Sequence, residues 1–172
     1  REDVVVEFPE GGPAQVFHHD DDEDEEISFT VVLQASDAVL RSLTIGVPLG
    51  GGGILVDGGA PELADLSVVP HPDATVVVFP SHPSAGWTYR FDSGSSPILR
   101  DSSWAGTLYS GGSSPTIEGN TITAGLMAMD GPGEAVVRGN TFHDGANFHL
   151  VFELTGVVEG NDLGAGIIGV GS

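Results

Sequence analysis

Short runs that alternate apolar and polar residues, each closed by Gly, Ser or Pro, recur along the chain. In its last third they return as one phrase: Ile117-Glu118-Gly119-Asn120-Thr121-Ile122, Val137-Arg138-Gly139-Asn140-Thr141-Phe142 and Val158-Glu159-Gly160-Asn161-Asp162-Leu163. The asparagines stand 20 and 21 residues apart. A period of that length, built from strand-sized segments, predicts a coil that lays one turn of β-structure on the next. The series extends backward through Pro97 to Trp104, Pro61 to Val68 and Ala38 to Ile45. Its first column holds Leu40, Leu63, Leu99, Ile117, Val137 and Val158; its last holds Ile45, Val68, Trp104, Ile122, Phe142 and Leu163. Both columns are suited to an interior. Between them the residue changes from Leu43 and Leu66 through Ser102 to Asn120, Asn140 and Asn161. Stacked asparagines can bond each other's amides and nearby backbone, which keeps a buried polar column satisfied.

A second strand is expected in each turn, at 53–57, 88–92, 107–110, 126–130 and 148–152, and each meets a turn rich in Gly, Ser or Pro. With its Asn column and phrases such as Ser113-Ser114-Pro115-Thr116-Ile117-Glu118-Gly119-Asn120-Thr121-Ile122, the chain resembles the right-handed parallel β-helix (pectate-lyase-like) superfamily over residues 30 to 172. The resemblance implies an all-β, single-domain solenoid of about seven turns. Residues 1–30 would supply a first turn or cap with an acidic loop, and 31–172 the repeats. The superfamily contains lyases, hydrolases, epimerases, adhesins and non-catalytic domains, so the fold alone assigns no activity. The spacing breaks once: Pro61 and Pro97 lie 36 residues apart, which predicts an inserted outward loop near 69–86.

Composition sharpens the picture. Twenty-six glycines and 11 prolines suit a turn-rich β-protein and argue against helix. Twenty-five acids face five arginines and no lysine, for a formal charge of −20, so nucleic acid and anionic membranes are poor partners. No apolar run approaches the ~20 residues of a spanning helix. Zero cysteines exclude disulfides and thiolate metal sites and are compatible with secretion; a secreted or cell-surface setting is the expectation. The abrupt apolar finish and an opening at Arg1 suggest a piece of something longer.

Several residues are candidates for chemistry. Arg100, Glu118, Arg138 and Glu159 fall in one outward column, and in lyases of the resembled superfamily an arginine on such a face acts as base. Arg100 and Arg138, with Asp65 and Asp101, are therefore the catalytic candidates, against the plainer expectation of a surface ion-pair ladder. Polygalacturonase-like hydrolases of the superfamily need a tight Asp pair with His and Lys, which this chain lacks. Asp57, Asp92, Ser110 and Asp130 are expected in another column; the carboxylates of Asp57, Asp92 and Asp130 make Ca2+ a candidate ligand, against ordinary turn formation. The run His18-His19-Asp20-Asp21-Asp22-Glu23-Asp24-Glu25-Glu26 is expected as a solvated acidic loop. Trp87, beside the inserted loop, is the better exposed candidate for a sugar platform, against burial as an anchor, the commoner fate of Trp; His71 and His82 share that loop, and Trp104 belongs to the core. Val39, Ile98, Val136 and Val157 sit where alternation predicts outward side chains; facing out they form an apolar stripe that would suit a polysaccharide or protein partner, and with irregular strand geometry they join the core. The leading expectation is a non-catalytic scaffold or binding face of a larger protein. The alternative is a fragment of a polysaccharide lyase, epimerase or glycoside hydrolase.

Overall fold

A computed structural model describes residues 15–20, 23–34, 37–73, 87–143, 145–150, 154–164 and 168–170. Among these there is no helix, and the strands form a parallel β-solenoid. One sheet stacks six strands: Val39–Arg41, Glu62–Ala64, Ile98–Arg100, Thr116–Glu118, Gly133–Arg138 and Leu154–Glu159. Its register aligns Val39, Glu62, Ile98, Thr116, Val136 and Val157, as the repeat spacing requires. The opposing sheet has 11 strands; its main run is Glu23–Gln34, Gly52–Asp57, Trp87–Phe91, Ser103–Gly111, Thr121–Asp130, Ala146–Leu150 and Ile168–Val170.

Six strands in register delimit about 5 turns, not the seven expected. The difference lies at the amino end. Gln15–Asp20 pairs antiparallel with Glu23–Gln34, placing His18 opposite Glu25 and His19 opposite Asp24. The described part of the acidic run, His18 to Asp20 and Glu23 to Glu26, is therefore in paired antiparallel strands; Asp21 and Asp22 lie outside the described residues. The 36-residue interval is one turn with an insertion, since Glu62 pairs directly with Ile98. Ser67–Val69 ends before that insertion and Trp87–Phe91 begins after it; residues 74–86, including His82, lie outside the described residues.

Alternation sends one side of each strand inward. Leu40, Leu63, Leu99, Ile117 and Val137 are buried in one column and Ile45, Val68, Trp104, Ile122 and Phe142 in the other. Val158 departs from this pattern at 42% exposure, on the outermost described strand of its sheet. Tyr89 meets Trp104 edge-on with ring centroids 5.1 Å apart. Each such ring buries on the order of 150–250 Å2, so this pair anchors the middle of the stack.

Between the columns the chain turns a corner through left-handed backbone: Ser42, Asp65 and Asp101 have φ of 56, 52 and 51°, and Gly119, Gly139 and Gly160 continue the series at 65, 62 and 61°. Asp and Gly are among the residues that tolerate this conformation. The next residue on each turn points into the corner. Asn120 Nδ2 donates to Leu99 O and to Asn140 Oδ1, both at 3.0 Å, and Asn140 Nδ2 donates to Ile117 O at 3.0 Å and Asn161 Oδ1 at 2.9 Å. Asn161 Nδ2 closes the series on Val137 O at 2.9 Å. Ser102 continues the ladder upstream, accepting from Leu66 N.

Candidate functional site

The outer face of the 11-stranded sheet carries a groove. Register places Leu55, Arg90, Tyr109 and Ala128 side by side, facing away from the core. Trp87, one alternation earlier, lies under Tyr109: the rings stack at 6.1 Å and 16°, and Phe29 approaches the indole from another side at 6.3 Å. The Arg90 guanidinium carbon sits 4.5 Å from the indole centroid, within cation–π range. Arg90 Nε also donates to Asp92 Oδ1 at 2.6 Å. Trp87 is consequently only 7% exposed. The candidate exposed platform is a buried support, because Tyr109 of the next turn packs on it together with Phe29, whose ring reaches across Gly52 of the intervening strand, and half-buried Tyr109 presents the ring surface instead.

The next column holds Asp57, Asp92, Gly111 and Asp130. Ser110 does not belong to it. It pairs with Phe91 and Met129, faces the interior and bonds the Ser113 hydroxyl. Gly111 takes the aspartate position because a Cβ there would lie 2.9 Å from the Tyr109 ring. With no side chain in the way, Tyr109 lies along the groove toward Asp130. Burial raises the Tyr109 phenol above its ordinary range, and the charge of Asp130 and a hydrogen bond to it push the same way. The result is a groove lined by Trp87, Arg90, Asp92, Tyr109, Gly111 and Asp130.

Its carboxylates do not converge on a cation. Asp57 accepts from Gln34 Nε2 at 3.4 Å, Asp92 is paired with Arg90, and Asp130 with Tyr109. No group of three or more His, Asp or Glu is placed to hold a metal among the described residues. The arrangement suits a hydroxylated ring: an aromatic face for its C–H edge, with carboxylates and a guanidinium at hydrogen-bonding reach of its hydroxyls.

A second groove follows the left-handed corner, where Ser42 Oγ donates to Asp65 Oδ2 at 2.6 Å and Asp101 lies beside Ser102. Arg100 reaches it, donating from Nη1 to Asp101 Oδ2 at 2.7 Å. Its other nitrogens, Nε and Nη2, bond Glu62 Oε1 at 3.0 and 2.6 Å, and Arg41 grips the same carboxylate at 2.8 Å. Arg138 pairs with Glu118 at 2.7 Å. The column of alternating charge is therefore real, but Arg100 reaches back to Glu62 across the diagonal rather than forward to Glu118. Hydrogen bonds to Glu62 and then to Asp101 raise the Arg100 guanidinium above its usual value, and Glu118 does the same for Arg138. Arg100 and Arg41 together hold Glu62 below the usual carboxylate range.

His71 Nδ1 accepts from the backbone of Asp73 at 3.2 Å, a local turn contact. The apolar stripe faces outward, with Val39, Ile98 and Val157 at 48, 40 and 46% exposure and Val136 half-buried. Sequence reasoning undervalued Arg90, Tyr109 and Gly111. The usable signal was the Tyr-Ser-Gly spacing, which removes a side chain two residues along the same face as a large ring. No family model, curated protein or solved structure matches this chain.

Proposed function

We propose that this chain is a non-catalytic parallel β-helical domain, a rigid scaffold in a secreted or surface-bound protein, whose outer groove at Tyr109 binds neutral carbohydrate. One observation carries the reading: each candidate catalytic side chain is engaged in holding neighbouring residues of the scaffold, Arg100 by Glu62 and Asp101, Arg138 by Glu118, and Asp65 by Ser42. An arginine base needs its proton affinity lowered, and both arginines are driven the other way. A formal charge of −20 disfavours polyuronates, which leaves uncharged sugars as the better match for the Tyr109 ring and its flanking polar groups.

The second reading, a fragment of a lyase, epimerase or glycoside hydrolase of the pectate-lyase-like superfamily, draws support from the Arg100–Asp101 contact at the edge of the corner groove. One experiment separates them: incubation with neutral and acidic polysaccharides, assaying reducing and unsaturated ends alongside tryptophan fluorescence. The chain has two tryptophans, and Trp104 is sealed in the core, so Trp87 reports the groove. Expected are no new ends and a fluorescence change with neutral oligosaccharides whose affinity weakens about five- to thirtyfold in Tyr109→Ala, as loss of an aromatic anchor worth on the order of 1–2 kcal/mol implies. Unsaturated ends that vanish in Arg100→Ala would establish the second reading.

A further inference from the structure

The six-stranded sheet presents a flat outer face two residues wide, and its sequence is complementary to itself when the order of turns is reversed. One outward column runs Val39, Glu62, Ile98, Thr116, Val136, Val157; the other runs Arg41, Ala64, Arg100, Glu118, Arg138, Glu159. Three of the five arginines of a chain with formal charge −20 stand in that second column, against three glutamates in the two columns together. Here alone among the described strands do several arginines gather, so this is the face on which another acidic copy meets the least repulsion.

We propose that a second copy of this chain docks on this face, related by a two-fold axis that runs parallel to the strands and passes between Ile98–Arg100 and Thr116–Glu118. Such an axis lays each column on its own reverse, as a two-fold interface requires. Val39 then meets Val157 of the second copy, and Ile98 meets Thr116. Arg41 meets Glu159, and Arg100 meets Glu118. On the remaining turn Glu62, held by Arg41 and Arg100 of its own chain, meets Val136, and buried Ala64 meets Arg138. No carboxylate faces a carboxylate in either column. The alternative axis, along the solenoid, would instead set the apolar column against the charged one.

Six strands ~4.8 Å apart and three residues across, at ~3.3 Å per residue, give a contact on the order of 300 Å2 per copy. That is below the size of stable interfaces, so the dimer is weak, transient and concentration-dependent. Sedimentation of the whole chain in about 0.15 M salt, where net repulsion is screened beyond ~8 Å, should show monomer giving way to dimer as concentration rises toward about 1 mM. Ile98→Glu should remain monomeric at the same concentrations while keeping the circular dichroism of the parallel sheet.

Register is tested with cysteines, since the chain has none of its own. A mixture of Val39→Cys and Val157→Cys, treated with a thiol cross-linker spanning about the ~10 Å between packed sheets, should yield covalent dimers. Either variant alone should yield few, because its two cysteines lie at opposite ends of the face. A wild type that stays monomeric to the highest concentration, as it would if the face served another partner, overturns the proposal. So does a dimer that survives Ile98→Glu, or efficient cross-linking of Val39→Cys to itself.

Discussion

At Gly111 an absent side chain decides where a neighbour goes. Gly111→Ala would press a methyl group against the Tyr109 ring, 2.9 Å away in the native geometry. We expect the ring to swing out of the groove, with a stability loss of about 1–3 kcal/mol in urea denaturation and loss of any ligand-induced change in Trp87 fluorescence; native stability together with native binding would refute this placement of Tyr109. The two tyrosines also provide an internal pH test. Burial pushes both phenols up from the ordinary value of 10.0, and Tyr89, sealed in the core, is pushed further than Tyr109. A raised folded value means the protonated phenol favours the native state. That stability is complete below pH 10.0 and is lost as pH climbs through the folded values. In Tyr109→Phe, ionisation at 295 nm should therefore coincide with the loss of circular dichroism. Phenolate that appears near pH 10 with the fold intact would show that Tyr89 is accessible. The columns in which these residues stand were largely legible in the sequence, because apolar alternation and the Asn period fix strand phase. Ser110 was misplaced by one residue because Ser103–Gly111 is one continuous strand with a register shift at Trp104/Ala105, and strand ends cannot be aligned by their turns across such a shift. Burial was the commoner fate for Trp87, but the neighbours that bury it were not legible, since Phe29 and Tyr109 are far away in sequence and adjacent in space.

The elements are joined by two kinds of ladder, and these differ in weight. Inside, Asn140 is fully buried: it accepts from Asn120 N at 2.9 Å and donates to Ile117 O, Arg138 O and Asn161 Oδ1. Asn140→Leu strands several of these groups in the core, at about 1–3 kcal/mol each, so a loss of at least ~3 kcal/mol is expected. Asn161→Leu, at the half-buried end of the ladder, should lose less. Equal losses in the two variants, read from urea midpoints, would mean that the ladder does not share its load through stacking. Outside, the Arg–Glu pairs stand in a solvated column where each contributes roughly 0–1 kcal/mol. The inner ladder was legible because buried amides recur with the period of the coil. The outer one was legible as a column but not as a set of pairs. An arginine is long enough to reach a diagonal neighbour, and Arg100 selects Glu62, which stands in the adjoining column.

For the whole molecule, repeat spacing predicted a parallel coil and overstated its length, in part because residues 1–30 were counted as a first turn, whereas Gln15–Asp20 pairs antiparallel with the strand that follows. Backbone direction is not written in apolar alternation. The global charge is legible, and its consequence runs against that of the individual ion pairs. Salt weakens each Arg–Glu contact but also screens the self-repulsion of 25 acids against five arginines. The second effect dominates when the imbalance is this large, so the melting temperature should rise as NaCl goes from about 0.01 to 0.15 M, over which the Debye length falls from ~30 to ~8 Å. A falling melting temperature would make the ion pairs the larger contribution. The same distribution of arginine bears on proteolysis. In a chain without lysine, trypsin can cut only after arginine, and Arg41, Arg90, Arg100 and Arg138 all lie in strands with their guanidinium groups held by carboxylates. For Arg41, Arg100 and Arg138 the carboxylate belongs to another turn. Cleavage at those three sites requires adjacent turns to part, so trypsin sensitivity is a direct clock for the opening of the stack.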